Sequence, residues 1–216
     1  MFECWDEVEL DLQVEATLAL DEGYAPEPLL VAFDDQEPVG IVGLRPFEAD
    51  GVLQALVEVL ALLLPLGARR IALTLPGRAR EVPDAGPTSL TTAGGEAALV
   101  VIATADAVGD GPTRLHARVL PLSHDGDCWQ WQEQDAIDVD ADEWDITQAL
   151  AVLLDAPAPL EAEAVQDRTQ LQAQLARCLL LGHLVTLAPP AADRLEPGRL
   201  AVLDPLSVPT LPPPEG

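Results

Sequence analysis

Lysine is absent from this sequence of 216 residues, and all eleven of its basic residues are arginine. Against them stand 37 acidic residues, which give a formal net charge of −26. A surface this acidic repels nucleic-acid phosphates and anionic lipid headgroups, so the composition disfavours binding to DNA, RNA or a membrane surface. The missing lysine, together with abundant leucine, alanine, valine, proline and arginine, is typical of proteins from GC-rich bacterial genomes.

Cysteine and long apolar runs are also scarce. The three cysteines are scattered and form no C-x-x-C pair, which disfavours a disulfide framework or a cysteine zinc site; they are Cys4, Cys128 and Cys178. The N-terminus carries acids where a signal peptide would carry basic residues. The longest apolar stretch, residues 52–66, contains Gln54 and Glu58 and is too short to span a bilayer. We therefore expect a reduced, cytoplasmic protein without a cofactor.

Apolar residues are plentiful, and at 49% of the chain they suffice for a core. In residues 7–15, "EVELDLQVE", apolar and polar side chains alternate, which predicts a half-buried strand followed by a short helical turn that Gly23 closes. The runs "PLLVAFDD" and "PVGIVGLRPF" predict a hairpin. The run "GVLQALVEVLALLLPLG" predicts a largely buried helix, with Asp50 as its N-cap and Gly67 just after its end.

The rest of the chain adds strands and then helices. The runs "RIALTL", "ALVVIATA", "RLHARVLPL" and "CWQWQEQ" predict strands, and "EWDITQALAVLLD" predicts an amphipathic helix. This order indicates an α+β fold with a mixed, mainly antiparallel sheet, two or three packed helices and a proline-rich C-terminal extension. We assign residues 1–155 to the α+β domain, 156–188 to a linker and a C-terminal helix on or beside it, and 189–216 to a proline-rich extended tail.

The stretch "DAIDVDADEWD" resembles the start of a calcium loop. Asp138, Asp140 and Asp142 have the spacing of the first three ligands of an EF-hand. Glu143, however, takes the place of the turn glycine, and Ala149 takes the place of the final glutamate. We therefore favour an acidic strand running into a helix that Asp142 caps, and keep a metal site on the three aspartates as the weaker alternative.

The histidines and glycines match no catalytic motif. His116 and His124 would lie about 26 Å apart on one extended strand, too far to share a metal ion. His183 lies in an apolar stretch, which predicts a packed side chain. The sequence contains no G-x-S-x-G elbow, no Walker A loop and no G-x-G-x-x-G motif after a strand.

Four of the arginines lie within twelve residues around the strand "IALTLPG". They are Arg69, Arg70, Arg78 and Arg80. Such a cluster can bind an anion or a carboxylate through paired N–H groups. The competing interpretation, which we favour, is that these arginines pair with acids of the same chain, since surface ion pairs are common.

Three of the four tryptophans are close together in sequence, at Trp129, Trp131 and Trp144. Exposed tryptophans are frequent at the centre of protein interfaces, so the group is a candidate partner surface. Their large apolar rings also suit the seam between a sheet and a helix, and we favour that packing role.

These patterns predict a non-catalytic binding or assembly module with an unknown protein partner. One alternative is a hydrolase that uses acidic residues, with or without a divalent metal; another is an acidic mimic that occupies a nucleic-acid-binding protein. An enzyme requires a concave pocket with carboxylates or histidines of perturbed pKa. A mimic requires carboxylates spaced like phosphates along one face. An interaction module requires an unusually large exposed apolar patch.

Overall fold

The computed structural model describes residues 3–24, 26–47, 51–78, 98–108, 112–125, 128–131, 136–142, 144–155 and 168–195. Within these ranges the chain forms a short 3-10 turn, five α-helices and eight strands. In chain order they are the turn Trp5–Glu7, α1 Val8–Asp21, β1 Leu29–Asp34, β2 Glu37–Gly43, α2 Val52–Leu63, β3 Arg70–Arg78, β4 Ala98–Asp106, β5 Arg114–Asp125, β6 Cys128–Trp131, β7 Ile137–Val139, α3 Asp145–Asp155, α4 Arg168–Leu180, β8 Leu184–Leu187 and α5 Pro189–Leu195.

The strands form one sheet in the order β6-β5-β4-β3-β1-β2-β8, and β7 pairs with β5 beside β6. Every pairing among the described strands is antiparallel. The predicted α+β class and the predicted β1–β2 hairpin are therefore confirmed. β4 is an interior strand between β5 and β3, as expected from its apolar, β-branched sequence.

Helices cover both faces of the sheet. In β1, Leu30 and Ala32 point into a core shared with α2, α3, α4 and α5. Val31 and Phe33, the alternate residues, point into a second core under α1. Because β1 is buried on both faces, its sequence is continuously apolar and not alternating.

The prediction of a strand at residues 7–15 is wrong, because this segment lies in α1. Val8, Leu12 and Ala16 are buried against the sheet, whereas Leu10 and Val14 are exposed. A residue two positions further on lies about 200° around a helix. The buried stripe and the exposed stripe each repeat every four residues, and they are offset by two. Together they therefore place an apolar residue at every second position, which is the alternation expected of a strand.

Three helices end with a glycine in the left-handed region. Gly23 and Gly67, with φ of 83° and 99°, confirm the predicted caps, and Gly182, with φ of 94°, does the same after α4. There the His183 N–H donates to the Cys178 carbonyl at 3.0 Å, which is the six-to-one bond of a Schellman motif. Asp50, the predicted cap of α2, lies outside the described residues, and Gly51 precedes the helix.

The C-terminal part of the described chain packs on the same sheet. α4 contacts α2, and β8 pairs with β2 at the edge of the sheet. Residues 189–195 form α5, so the prediction of an extended tail is wrong there. Pro189 and Pro190 begin this helix, where the missing N–H groups would have no partner within the helix. Residues 196–216, the remainder of the predicted tail, lie outside the described ranges.

Among the described helices, none is both long enough and apolar enough to cross a membrane.

Candidate functional site

Two arginines of the cluster predicted from the sequence lie at opposite ends of one strand. Arg70 begins β3 and Arg78 ends it, which separates them by about 26 Å at the usual strand rise. Arg69 is exposed just before β3, and Arg80 lies outside the described residues.

Arg70 is instead buried and paired with acids of its own chain, as the favoured interpretation held. Its Nε lies 3.1 Å from Asp106 Oδ1, and its Nη1 donates to the Asp35 carbonyl at 3.0 Å. The guanidinium also stacks over Trp5, 5.4 Å from the ring centroid. Arg114, opposite Asp106 on β5, donates to Asp106 Oδ2 at 2.6 Å. These residues form a cross-strand charge ladder, which holds strands in register.

The tryptophans lie on different faces of the sheet. The Trp129 side chain packs against the core under α1, and the backbone N–H of Trp129 donates to Asp21 Oδ1 at 2.6 Å. Trp144 packs against the core on the opposite face. The side chain of Trp131 lies outside the described part of the structure. Trp129 and Trp144 therefore seal separate seams and do not share one partner surface.

The carboxylates of Asp138 and Asp140 in the "DAIDVDADEWD" stretch have different partners. Asp138 Oδ1 accepts from Arg118 Nε at 3.1 Å and lies 3.6 Å from His116 Nε2. The bond from Arg118 lowers the pKa of Asp138 below its usual value. Asp140 Oδ1 accepts from the Asp142 N–H at 3.1 Å. In the described ranges no three histidine, cysteine or acidic side chains are grouped to hold a metal ion.

The predicted capping of α3 by Asp142 is wrong. The helix begins at Asp145, so Trp144 precedes its first residue. The turn before it is closed by Thr147, whose hydroxyl donates to the carbonyls of Ala141 and Trp144. Asp145 lies in the first turn, as predicted, where the helix dipole stabilises a carboxylate.

A buried polar network that the sequence did not reveal joins three distant segments. Glu58 on α2 receives two bonds from Arg45, at 2.9 and 3.2 Å, and one from Gln54 at 2.9 Å. His183, which precedes β8, places Nε2 3.0 Å from Glu58 Oε2. The side chains of Glu58 and His183 are 6% and 0% exposed. The only sequence signal was an acid within an apolar helix.

The backbone N–H of Arg45 determines which ring nitrogen of His183 carries the proton. The Arg45 N–H donates to His183 Nδ1 at 3.2 Å, so Nδ1 is an acceptor and Nε2 carries the proton that is donated to Glu58. Glu58 is the ionised acceptor of this bond. The bonds from Arg45, with those from His183 and Gln54, lower the pKa of Glu58 to about 2, against the opposing effect of its burial.

Cys178 completes this network and is chemically protected. Its Sγ lies 3.5 Å from the Glu58 carbonyl, and the residue is only 1% exposed. Burial raises the pKa of the Cys178 thiol, and a reactive cysteine needs the opposite shift together with exposure. Both ring nitrogens of His183 form hydrogen bonds as well, so the network has no free acid, base or nucleophile. The network ties α4 and β8 to α2.

The outer face of α1 has the properties of a binding surface. Leu10, Val14 and Leu18, spaced by four residues, form an exposed stripe on the side away from the sheet, and they are 53%, 43% and 51% exposed. We call these three residues the α1 stripe. A helix that packs on one side only normally carries polar residues on its outer face. In α1 the second apolar stripe is left without a partner among the described residues.

Carboxylates surround the α1 stripe. Residues 3–24 contain eight acidic residues and no basic one; the acids are Glu3, Asp6, Glu7, Glu9, Asp11, Glu15, Asp21 and Glu22. Some of these have partners within the fold, since Glu9 Oε1 lies 3.0 Å from His116 Nδ1 and Asp21 accepts from Trp129. Glu7, Glu15 and Glu22 are exposed. The site therefore combines an apolar centre with an anionic border.

Comparison with protein-family models, with curated proteins and with solved structures gave no match to this chain.

Proposed function

We propose that this protein is a non-catalytic binding or assembly module whose docking surface is the outer face of α1. The observation that supports this most directly is the exposure of the α1 stripe, three large apolar side chains on one helix face. Removing apolar surface from water contributes about 25 cal/mol per Å², which favours a complex once it exceeds the entropy lost on association. Single exposed apolar residues are normal, whereas grouped ones mark interaction sites.

The charge around the α1 stripe selects the kind of partner. A partner that covers Leu10, Val14 and Leu18 also meets the carboxylates along their border, such as Glu15 and Glu22. Arginine or lysine beside an apolar contact pairs with such a border, which raises the association rate and excludes acidic competitors. An amphipathic helix with an apolar face and basic flanks meets both requirements.

The buried network favours binding over hydrolysis. A general base needs access to its substrate, and His183 is fully buried with both ring nitrogens bonded. Glu58 is held ionised by Arg45, which makes it a poor proton acceptor at neutral pH. The exposed apolar centre of α1 likewise does not suit a phosphate mimic, since phosphates present charge and not hydrocarbon.

The proposal can be tested with a synthetic amphipathic helix of leucine and lysine as the probe. We expect it to bind the full chain more tightly than a peptide of the same composition in scrambled order, which keeps the charge but loses the apolar face. Replacing Leu10 and Leu18 by glutamine should weaken binding about tenfold or more, because two leucine contacts are lost.

The matched control is Val152→Gln, which removes a still more exposed apolar side chain (69%) from α3. This variant should bind the peptide like the unmodified chain. Equal binding of the ordered and scrambled peptides, or an unchanged affinity in the variant with Leu10→Gln and Leu18→Gln, would overturn the proposal.

A further inference from the structure

A second exposed apolar surface lies at the other end of the sheet. The turn from α4 to β8 exposes four leucines, which we call the leucine patch: Leu179 (44%), Leu180 (88%), Leu181 (38%) and Leu184 (69%). The turn exists because Gly182 ends α4 and His183 is anchored in the network around Glu58. The fold itself therefore holds these leucines at the surface.

The segment that carries the leucine patch has a formal charge opposite in sign to that of the segment that carries the α1 stripe. Residues 168–195 contain three arginines and one aspartate, so their formal charge is 3 − 1 = +2. Residues 3–24, with eight acids and no base, carry −8. α4 contains no acidic residue, and Arg177 is exposed in its last turn, directly before the leucines.

We propose that the partner of the α1 stripe is the leucine patch of a second copy of this chain. The inference rests on the proposed function, because it names the partner of the same docking surface. Apolar side chains meet apolar side chains in this contact, and Arg177 faces the carboxylate border of α1. In a chain with 37 acids, an acid-free helix beside exposed leucines provides the complementary surface.

One copy cannot make this contact with itself. α1 packs over β3, β4 and β6, whereas α4 packs on α2, α5 and β8, at the opposite edge of the sheet and on its opposite face. The contact between two copies is therefore heterologous, since it joins different surfaces of the two molecules. A row of copies joined in this way has one unoccupied surface at each end. It therefore grows into an open chain or closes into a ring.

A competing mode of self-association uses β8 alone. This strand is at the edge of the sheet, and an antiparallel pairing of two β8 strands would form a closed dimer. It would cover Leu184 but leave the α1 stripe exposed. Pairing through β8 stops at a dimer and does not involve α1. Docking of the leucine patch on the α1 stripe builds larger species and depends on α1.

Sedimentation velocity of the full chain over a wide concentration range, at one fixed ionic strength, tests the inference. Salt is held constant because it screens both the local attraction and the repulsion between two strongly acidic molecules. We expect species larger than a dimer to grow with concentration. Arg177→Glu and Glu15→Arg should each weaken association about tenfold, because each replaces an attraction by a repulsion.

The variant that combines Arg177→Glu with Glu15→Arg should associate more strongly than either single variant, because complementary charges are restored. Asp142→Arg is the control for Glu15→Arg, since it changes the net charge by the same amount at an exposed site between β7 and α3. It should not weaken association. Thermal melting verifies that each variant remains folded.

A chain that stays monomeric at every concentration would overturn the inference, and so would a dimer that is insensitive to Glu15→Arg, which is the outcome of β8 pairing. Binding of the leucine–lysine helix separates the two proposals. If self-association is absent while that helix still binds through Leu10 and Leu18, only the second copy as partner is refuted. If both are absent, the docking surface itself is refuted.

Discussion

His183 Nε2 lies 3.0 Å from Glu58 Oε2 although the two residues are 125 positions apart in the sequence. Glu58 belongs to the central helix of one layer, and His183 immediately precedes the edge strand β8. The bond, with that from the Arg45 backbone, fixes where the chain returns to the sheet after α4. It thereby positions the leucine patch on which the proposed assembly depends.

Removing the carboxylate of Glu58 should destabilise the fold strongly. Glu58→Ala leaves Arg45 and His183 without their buried partner, and breaking a buried ion pair in this way costs about 3 to 5 kcal/mol. Glu58→Gln should cost less, because the amide oxygen still accepts the His183 proton. Denaturant unfolding measures both, with Glu37→Gln as the exposed control. A loss of stability in Glu58→Ala no larger than in this control would contradict the assigned role.

The contribution of Glu58 to stability should depend on pH in the acid range. The pKa of Glu58 is lowered from 4.5 to about 2 in the folded chain, so the unfolded chain binds this proton more readily. The stabilisation is complete above pH 4.5 and is lost as pH falls towards 2, by up to about 1.4 kcal/mol per pH unit.

The measurement for this prediction is the difference in unfolding free energy between the natural chain and Glu58→Gln at several pH values. The difference cancels the titration of the other carboxylates, which the two proteins share. It should be constant above pH 4.5 and shrink below it. A difference that grows on acidification would show that the sign is wrong.

Gly182→Ala should destabilise the chain through its backbone conformation. Gly182 has φ of 94°, and a left-handed conformation costs about 1 to 2 kcal/mol for a residue with a side chain. The added Cβ would meet only Arg45 Cβ at 3.7 Å, an ordinary contact. Gly182→Asn should cost less, since asparagine tolerates this region better. Thermal melting compares the two, and an equal midpoint for all three proteins would contradict the Schellman cap.

Cys178 should resist alkylation in the folded chain. It is 1% exposed, and burial raises the pKa of its thiol, so little thiolate is present or accessible. Treatment with iodoacetamide and peptide mapping by mass spectrometry should show modification of the half-buried Cys4 first, and of Cys178 only after denaturation. Modification of both at similar rates in the native protein would show that α4 is not firmly packed.

The elements that were predicted correctly are those with strong local signals. β1 and β2 consist of apolar runs joined by a tight turn, and α2 is a long apolar run that Gly67 ends. In α1 the local signal was misleading, because buried and exposed apolar stripes together alternate like a strand. That error concerned the proposed binding surface: Leu10 and Val14 break the pattern of a one-sided helix because they face outward.

The sites depended more on tertiary structure than on sequence. His183 was correctly expected to be packed, but its partner Glu58 is brought to it only by the return of the chain through α4. Arg70 and Arg78, neighbours in a sequence cluster, are separated because an extended strand lies between them. Residues close in sequence lie far apart where a strand extends the chain between them. The charge contrast between α1 and α4 could be interpreted only after the structure had located both exposed apolar surfaces.

The most direct test of the proposed contact between the leucine patch and the α1 stripe is a disulfide between two copies. One copy carries Val14→Cys and the other Leu180→Cys, both with Cys4 and Cys128 replaced by serine, and the mixture is oxidised and analysed by mass. We expect a mixed disulfide in much higher yield than when Val152→Cys, at an exposed position of α3 (69%), replaces Leu180→Cys. Equal yields from Leu180→Cys and Val152→Cys would contradict the docking of the leucine patch on α1.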